Sequence, residues 1–216
     1  MGKSNDTTML AYILDSSSFI HLAQVEANYF SRNPLFKLAQ RNFPLYITPK
    51  ISNEIRGKAP ADELLTYLSN RKFIKIQRPA RECYDTARRI IRHLAVQLKV
   101  GIPDPGELEG MAAALWLSRT AGMISIFFTS DAEALKAADV LLRNNFAGFA
   151  LSTPELICHL YAIREITLYE AELYLYKLND FINGASKYIA YVNEMCQNKC
   201  PKKLCAVMGS TYLSSS

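Results

Sequence analysis

Three apolar runs in this chain each stop at a polar residue able to open a helix, and that repetition restricts the fold more than any other feature. Leu10, Tyr12, Ile13 and Leu14 end at Asp15, and their nearly unbroken apolarity is the pattern of a strand buried on both faces of a parallel sheet. Phe43-Pro44-Leu45-Tyr46-Ile47 ends at Thr48-Pro49, an N-cap followed by a first helical residue. Met123-Ile124-Ser125-Ile126-Phe127-Phe128-Thr129, rich in β-branched and aromatic residues, ends at Ser130-Asp131. Parallel strands need long, usually helical, crossovers, so these joins predict an α/β chain with a parallel sheet.

The remaining segments fill in that plan. Helical spacing predicts helices over residues 31–42, from Pro49 through Glu54 to a stop at Gly57, over 60–70 and over 81–100, with a strand over 72–77. Asp104-Pro105-Gly106-Glu107 is a capping-box pattern that opens a further helix, in which Ala112, Ala113 and Ala114 allow close approach to the sheet. A short helix holding Leu135, an edge strand over 146–151 and a helix starting at Ser152-Thr153-Pro154 complete a domain over residues 9–155. Residues 156–195 read as a C-terminal helical extension, with helices over 166–179 and 181–193, the first striped by Leu168, Leu173, Leu175 and Tyr176. Residues 196–216 read as a cysteine-containing flexible tail.

Hydrophobic residues make up 50% and charged residues 21% of the chain, which argues against wholesale disorder. No apolar segment approaches the roughly 18 residues that span a bilayer, and residues 1–8 do not read as a signal, so the expectation is a cytoplasmic protein with no membrane association. Five cysteines, an odd number, suit reduced thiols better than a disulfide framework. Cys196, Cys200 and Cys205 lack a fourth ligand and the spacing of paired knuckles, so zinc is not expected there. A net charge of +5 permits an anionic partner. On the 81–100 helix, Arg81, Arg88, Arg92 and Lys99 share one face, widened by Arg89 and His93. That ridge is either a solvated face or a support for a phosphate backbone.

Asp15 and Asp131 follow the first and fourth strands, and Glu54 lies about one and a half turns into the helix after the second. Glu107 opens the helix before the fourth strand. Each has a structural alternative: Asp15 and Glu107 as helix caps, Glu54 as a solvated helix position. Glu109 flanks the same apolar face as Glu107 from the other side, and periodicity does not choose between them. In open α/β sheets, ligands bind outside the carboxyl ends of the strands. Four carboxylates gathered there ionise together only beside a cation, and hard oxygen ligands select Mg²⁺ or Mn²⁺.

These residues resemble the PIN-domain nucleases. The likeness runs through Leu14-Asp15-Ser16-Ser17, Ile47-Thr48-Pro49 to Glu54-Ile55, Gly106-Glu107 to Ala112-Ala114, and Thr129-Ser130-Asp131. It implies a three-layer α/β/α sandwich around a short parallel sheet and metal-dependent endonucleolytic hydrolysis of RNA, with Asp15, Glu54, Glu107 and Asp131 as catalytic and metal-holding acids, Glu109 as a substitute, and Ser17 and Thr129 as supports. It further implies an antitoxin or a ribosome-associated partner, as for VapC-like toxins or the PIN endonucleases of ribosomal RNA maturation, and a homodimer. Several features depart from the family: Glu107 stands where Asp is common, the segment between Glu54 and Glu107 is long for a compact toxin, the paired C-terminal helices exceed the usual toxin, and the three-cysteine tail shows no zinc ribbon of the ribosomal RNA maturation type. A haloacid-dehalogenase-type phosphohydrolase would need an Asp where Ser17 stands. The alternative from another class is a catalytically inactive PIN-fold module that binds RNA or acts as a scaffold.

Overall fold

β1 (Leu10–Leu14) is buried at four of its five positions, and it occupies the middle of the sheet, as an apolar run without alternation requires. The structure, a computed structural model, describes residues 10–40, 43–98 and 101–197. The sheet has five strands in the order β3 (Ile74–Ile76), β2 (Leu45–Ile47), β1, β4 (Ile124–Thr129) and β5 (Gly148–Ser152), every neighbouring pair parallel. Leu14 stands opposite Phe128, and the Asp15 amide donates to the Phe128 carbonyl at 2.9 Å, so β1 and β4 end level with each other.

Alternation along the strands builds two apolar layers. On one face Ala11, Ile13, Tyr46, Phe127 and Ala150 pack with the helices α5 (Arg81–Leu98), α6 (Pro105–Ala121) and α7 (Ala132–Asn144). The other face presents Tyr12, Leu14, Leu45, Ile47, Ile126 and Phe128, all buried, with the Tyr12 and Phe128 rings stacked at 5.9 Å. α1 (Ser16–Val25), α3 (Pro49–Ile55) and α4 (Ala61–Asn70) pack together, and α1 also lies against β4. Between them a 3₁₀ turn, Phe30–Arg32, leads into α2 (Pro34–Gln40). The result is a three-layer α/β/α sandwich, and each large apolar side chain buried in it contributes roughly 1.5–3 kcal/mol.

The close approach of α6 to the sheet rests on a glycine one turn before the alanines. A Cβ on Gly110 would stand 2.6 Å from Cε2 of Phe127. α7 is longer than a short helix, at 13 residues, and ends at an Arg143–Asp139 ion pair of 2.7 Å on its last turn.

The chain divides into two units, Met1–Thr153 and Pro154–Ser216. α8 (Thr153–Ala162) leads into the second, where Thr167 and Glu170 form a reciprocal cap at the start of α9 (Leu168–Leu178). Its buried side is Ala171, Tyr174, Leu175 and Leu178, a regular three-and-four spacing. The expected stripe is therefore rotated: Tyr176 is 68% exposed and only Leu175 of that set is buried. The helix expected over 181–193 is also displaced. Asn183-Gly184 makes a turn in which Gly184 takes φ +83°, a 3₁₀ turn Ala185–Lys187 follows, and α10 (Tyr188–Cys196) starts only after it. Asn193 Nδ2 on α10 donates to Glu172 Oε1 on α9 at 2.9 Å. Among the described residues no helix is long and apolar enough to cross a membrane.

Candidate functional site

Asp15 sits where β1 becomes α1, 2% exposed, as the N-cap of that helix. Its Oδ1 accepts the Ser16 amide at 2.7 Å, and its Oδ2 accepts the Ser17 amide at 3.3 Å together with the Ser17 hydroxyl. A further donor comes from the neighbouring strand end, Thr129 Oγ1 at 3.3 Å. Burial nonetheless raises its pKa, and the negative charge of Asp104 adds to the rise. The cap and the candidate acid are thus the same group, and its hydrogen-bond donors do not compensate for its loss of water.

Thr129 also ties Asp15 to Asp131, since the Asp131 amide donates to its Oγ1 at 3.1 Å. Asp131 is the N-cap of α7 and takes the Glu133 and Ala134 amides on Oδ1, at 2.8 and 2.7 Å. Ser17 makes a second tie, accepting the Ser130 amide at 3.3 Å. Behind this lies a chain of hydroxyls: Ser130 Oγ is 2.6 Å from Thr153 Oγ1, which is 2.7 Å from Ser18 Oγ, while His21 Nδ1 is 3.0 Å from Ser130 Oγ. The expected supports, Ser17 and Thr129, both donate hydrogen bonds to the Asp15 carboxylate. Ser130, Thr153 and His21 join them from positions that no spacing rule would single out.

At the start of α6 Asp104 and Glu107 form the expected capping box. Asp104 Oδ1 accepts the Gly106 and Glu107 amides at 2.7 and 2.8 Å, and Glu107 Oε2 accepts the Asp104 amide at 2.9 Å. Glu54, half-buried on α3, lays its carboxylate over Gly106: a Cβ there would be 3.0 Å from Glu54 Cδ. Glu109 is placed differently. Its Oε2 accepts the Lys50 amide at 2.9 Å, so it serves the first turn of α3. The α5–α6 connection is fastened to α7 by the Gly101 amide, which donates to Glu133 Oε2 at 2.6 Å.

Glu107 is 8% exposed, and burial pushes its carboxyl up to about 8, with the charges of Asp15, Asp104 and Asp131 raising it further against the lowering effect of its bond from the Asp104 amide. Those four acids therefore share one electrostatic environment, with Glu54 against the glycine between two of them. Asp104 is the member that sequence reasoning missed as a site residue. Its capping pattern explains it fully as a local feature, and only the placing of the α6 N-terminus beside β1 gives it a second neighbourhood.

These donors are all hard oxygens, which suits Mg²⁺ or Mn²⁺ in kind. The caps of α6 and α7 engage one oxygen of each carboxylate, leaving Asp104 Oδ2, Asp131 Oδ2 and Glu107 Oε1 outside them, whereas Asp15 uses both of its oxygens on α1. As the side chains stand, however, no group of three or more His, Cys, Asp or Glu among the described residues converges closely enough to hold a metal ion. Each carboxylate is drawn onto its own helix, and mutual repulsion favours that separation.

Arg81, Arg88, Arg89, Arg92 and His93 are all exposed on α5, as expected of the ridge. Arg81 lies 3.7 Å from Asp85, a fully solvated pair that offsets part of its charge. Lys99, Cys200 and Cys205 lie outside the described residues, and Cys196 is an exposed free thiol. Compared with protein-family models, with curated proteins and with solved structures, the chain matches none of them.

Proposed function

We propose that this chain is a divalent-metal-dependent endoribonuclease of PIN type, cleaving RNA phosphodiester bonds at the crevice bounded by Asp15, Glu54, Glu107 and Asp131. The observation that carries this reading is the condition of Glu107: a carboxyl at the carboxyl edge of a parallel sheet, raised to about 8 by burial and by three other acids. Burial is the larger cause and the neighbouring charges the lesser, and an acid so perturbed beside other acids is a functional-site candidate, where a cation would relieve the charge.

Bound Mg²⁺ or Mn²⁺ would supply an activated water and neutralise charge developing at phosphorus. The residues that would hold it are Asp15, Glu107 and Asp131, with Glu54 closing the fourth side and Asp104 adding charge. Ser17 and Thr129 keep the Asp15 carboxylate fixed between two strand ends, and the α5 arginines supply attraction for the phosphate backbone.

The test is Asp15→Asn. The substitution keeps the shape and the acceptor for the Ser16 amide but turns an NH2 group toward the Ser17 amide and hydroxyl, so the protein is expected to fold with a loss of about 1–3 kcal/mol while losing Mn²⁺-dependent cleavage of single-stranded RNA by at least a hundredfold. Cleavage at the wild-type rate by the folded variant would overturn the reading. A second reading, an RNA-binding module without catalysis, draws on the separation of the carboxylates. It predicts metal-independent RNA binding and no cleavage by the wild type under any divalent ion.

A further inference from the structure

The ridge on α5 and the acids on α3 and α6 are joined by one pair of side chains. Lys50, exposed on the first turn of α3, places its Nζ 5.9 Å from the centre of the Tyr84 ring on α5. On α5, Tyr84 is half-buried and lies between the buried stripe of Ala87 and Ile91 and the exposed ridge, with Arg88 one turn beyond it. On α3, Lys50 and Glu54 are four residues apart and so leave the helix on the same face, one turn apart. The Glu109 carboxylate holds the Lys50 amide, which fixes that end of α3 beside α6. The Lys50–Tyr84 contact therefore links α5, with Arg88 one turn from Tyr84, to α3, with Glu54 one turn from Lys50.

We propose that Lys50 and Tyr84 are substrate-positioning residues that select single-stranded RNA, Lys50 meeting a backbone phosphate next to the one cleaved and Tyr84 stacking the adjoining base. The inference rests on the reading of the crevice as a phosphodiesterase site and names how its substrate is held. Three physical points carry it. An exposed ammonium–ring contact is weak, and a nucleobase stacks on tyrosine more strongly, so an arriving base displaces Lys50 from the ring and frees it for phosphate. Phosphate is the stronger partner for the ammonium, because both carry full charge. Tyr84, sunk between ridge and stripe, is reached by a base splayed from a single strand and not by one paired inside a duplex, whose faces are covered.

The pair separates charge from stacking, and the experiment uses that. Affinities of the full-length chain in an Asp15→Asn background are measured by fluorescence anisotropy for a single-stranded RNA and for its duplex, over a salt series. Lys50→Gln is expected to weaken single-strand binding five- to tenfold and to reduce the salt slope by about 0.7, the value of one phosphate contact on a single strand. Tyr84→Leu is expected to weaken it by a similar factor with the slope unchanged, and Tyr84→Trp to restore it. Duplex affinity stays within twofold throughout. Single-strand affinities within twofold of the background for both Lys50→Gln and Tyr84→Leu overturn the proposal, as does an equal loss on duplex. Lys50→Gln in an otherwise wild-type chain keeps its melting response to Mn²⁺; a wild type lacking any such response refutes the metal reading and leaves the binding result to stand or fall by itself.

Discussion

Gly106 leaves room for the Glu54 carboxylate where any side chain would collide with it, since a Cβ would stand 2.9 Å from Oε2. The obstacle is the end of a flexible side chain, so Gly106→Ala moves Glu54 and leaves the backbone alone. Because alanine favours a helix over glycine by about 1 kcal/mol, the variant is expected to melt at or above the wild-type temperature. Its affinity for Mn²⁺ should nevertheless fall several-fold, which calorimetric titration reads directly. Unaltered Mn²⁺ affinity would remove Glu54 from the site. At the same scale His159 contributes a loss of stability in acid, which the raised carboxyls of Asp15 and Glu107 oppose. Burial holds it near pH 4, below the ordinary value of 6.5, so between those limits the unfolded chain binds a proton that the folded chain refuses. Stability is fully present above pH 6.5 and is lost as pH falls toward about 4, by roughly 3 kcal/mol at most. His21, also lowered by burial, adds a loss of the same sign. His159→Gln should flatten this acid limb in denaturant titrations run at pH 7, 6, 5 and 4; an equally steep loss would place its cause elsewhere.

Among the elements, α6 carries both halves of the design: a polar first turn that holds Asp104 and Glu107, and a small-residue face that lets it lie close to β4. Gly110→Ala tests the second half. Substitution of a helical glycine by alanine ordinarily stabilises, but here the new Cβ meets the ring of Phe127, itself fully buried and unable to retreat. Overpacking outweighs the helix preference, and a net loss of about 1–3 kcal/mol is expected in urea unfolding. A gain would show that α6 can slide on the sheet. The element scale also shows what can be read from residues in order. The strand-end acids are legible because a buried parallel strand is a run of apolar residues that stops abruptly, and the capping box of α6 because its pattern is contiguous. The second neighbourhood of Asp104 is not legible, because it depends on β1 and β4 being adjacent in the sheet. The expected helix over 181–193 fails for a different reason: its apolar residues suggest a period, but Asn183-Gly184 favours a turn, and a single backbone conformation at Gly184 outweighs the pattern.

For the molecule as a whole, the acids draw their charge from four different strand-to-helix or loop-to-helix joins. Asp15 follows β1, Glu54 lies on the helix after β2, Asp104 and Glu107 open α6, and Asp131 follows β4. Unfolding separates these joins and dissolves the cluster, so an ion held by it binds the native state alone. Ligand linkage then gives about 2.7 kcal/mol of added stability when the ion is present at a hundred times its dissociation constant. For a chain of this size that corresponds to a rise in melting temperature of roughly 5–10 °C. Millimolar Mn²⁺ should produce such a rise in the wild type, Asp131→Asn should lose most of it, and Glu109→Gln, whose carboxylate serves α3, should keep it. Calorimetric melts of the three proteins with and without Mn²⁺ decide the matter. A full shift in Asp131→Asn would move the ion away from the β4 end of the crevice, and a lost shift in Glu109→Gln would bring back the carboxylate that the structure turns toward Lys50.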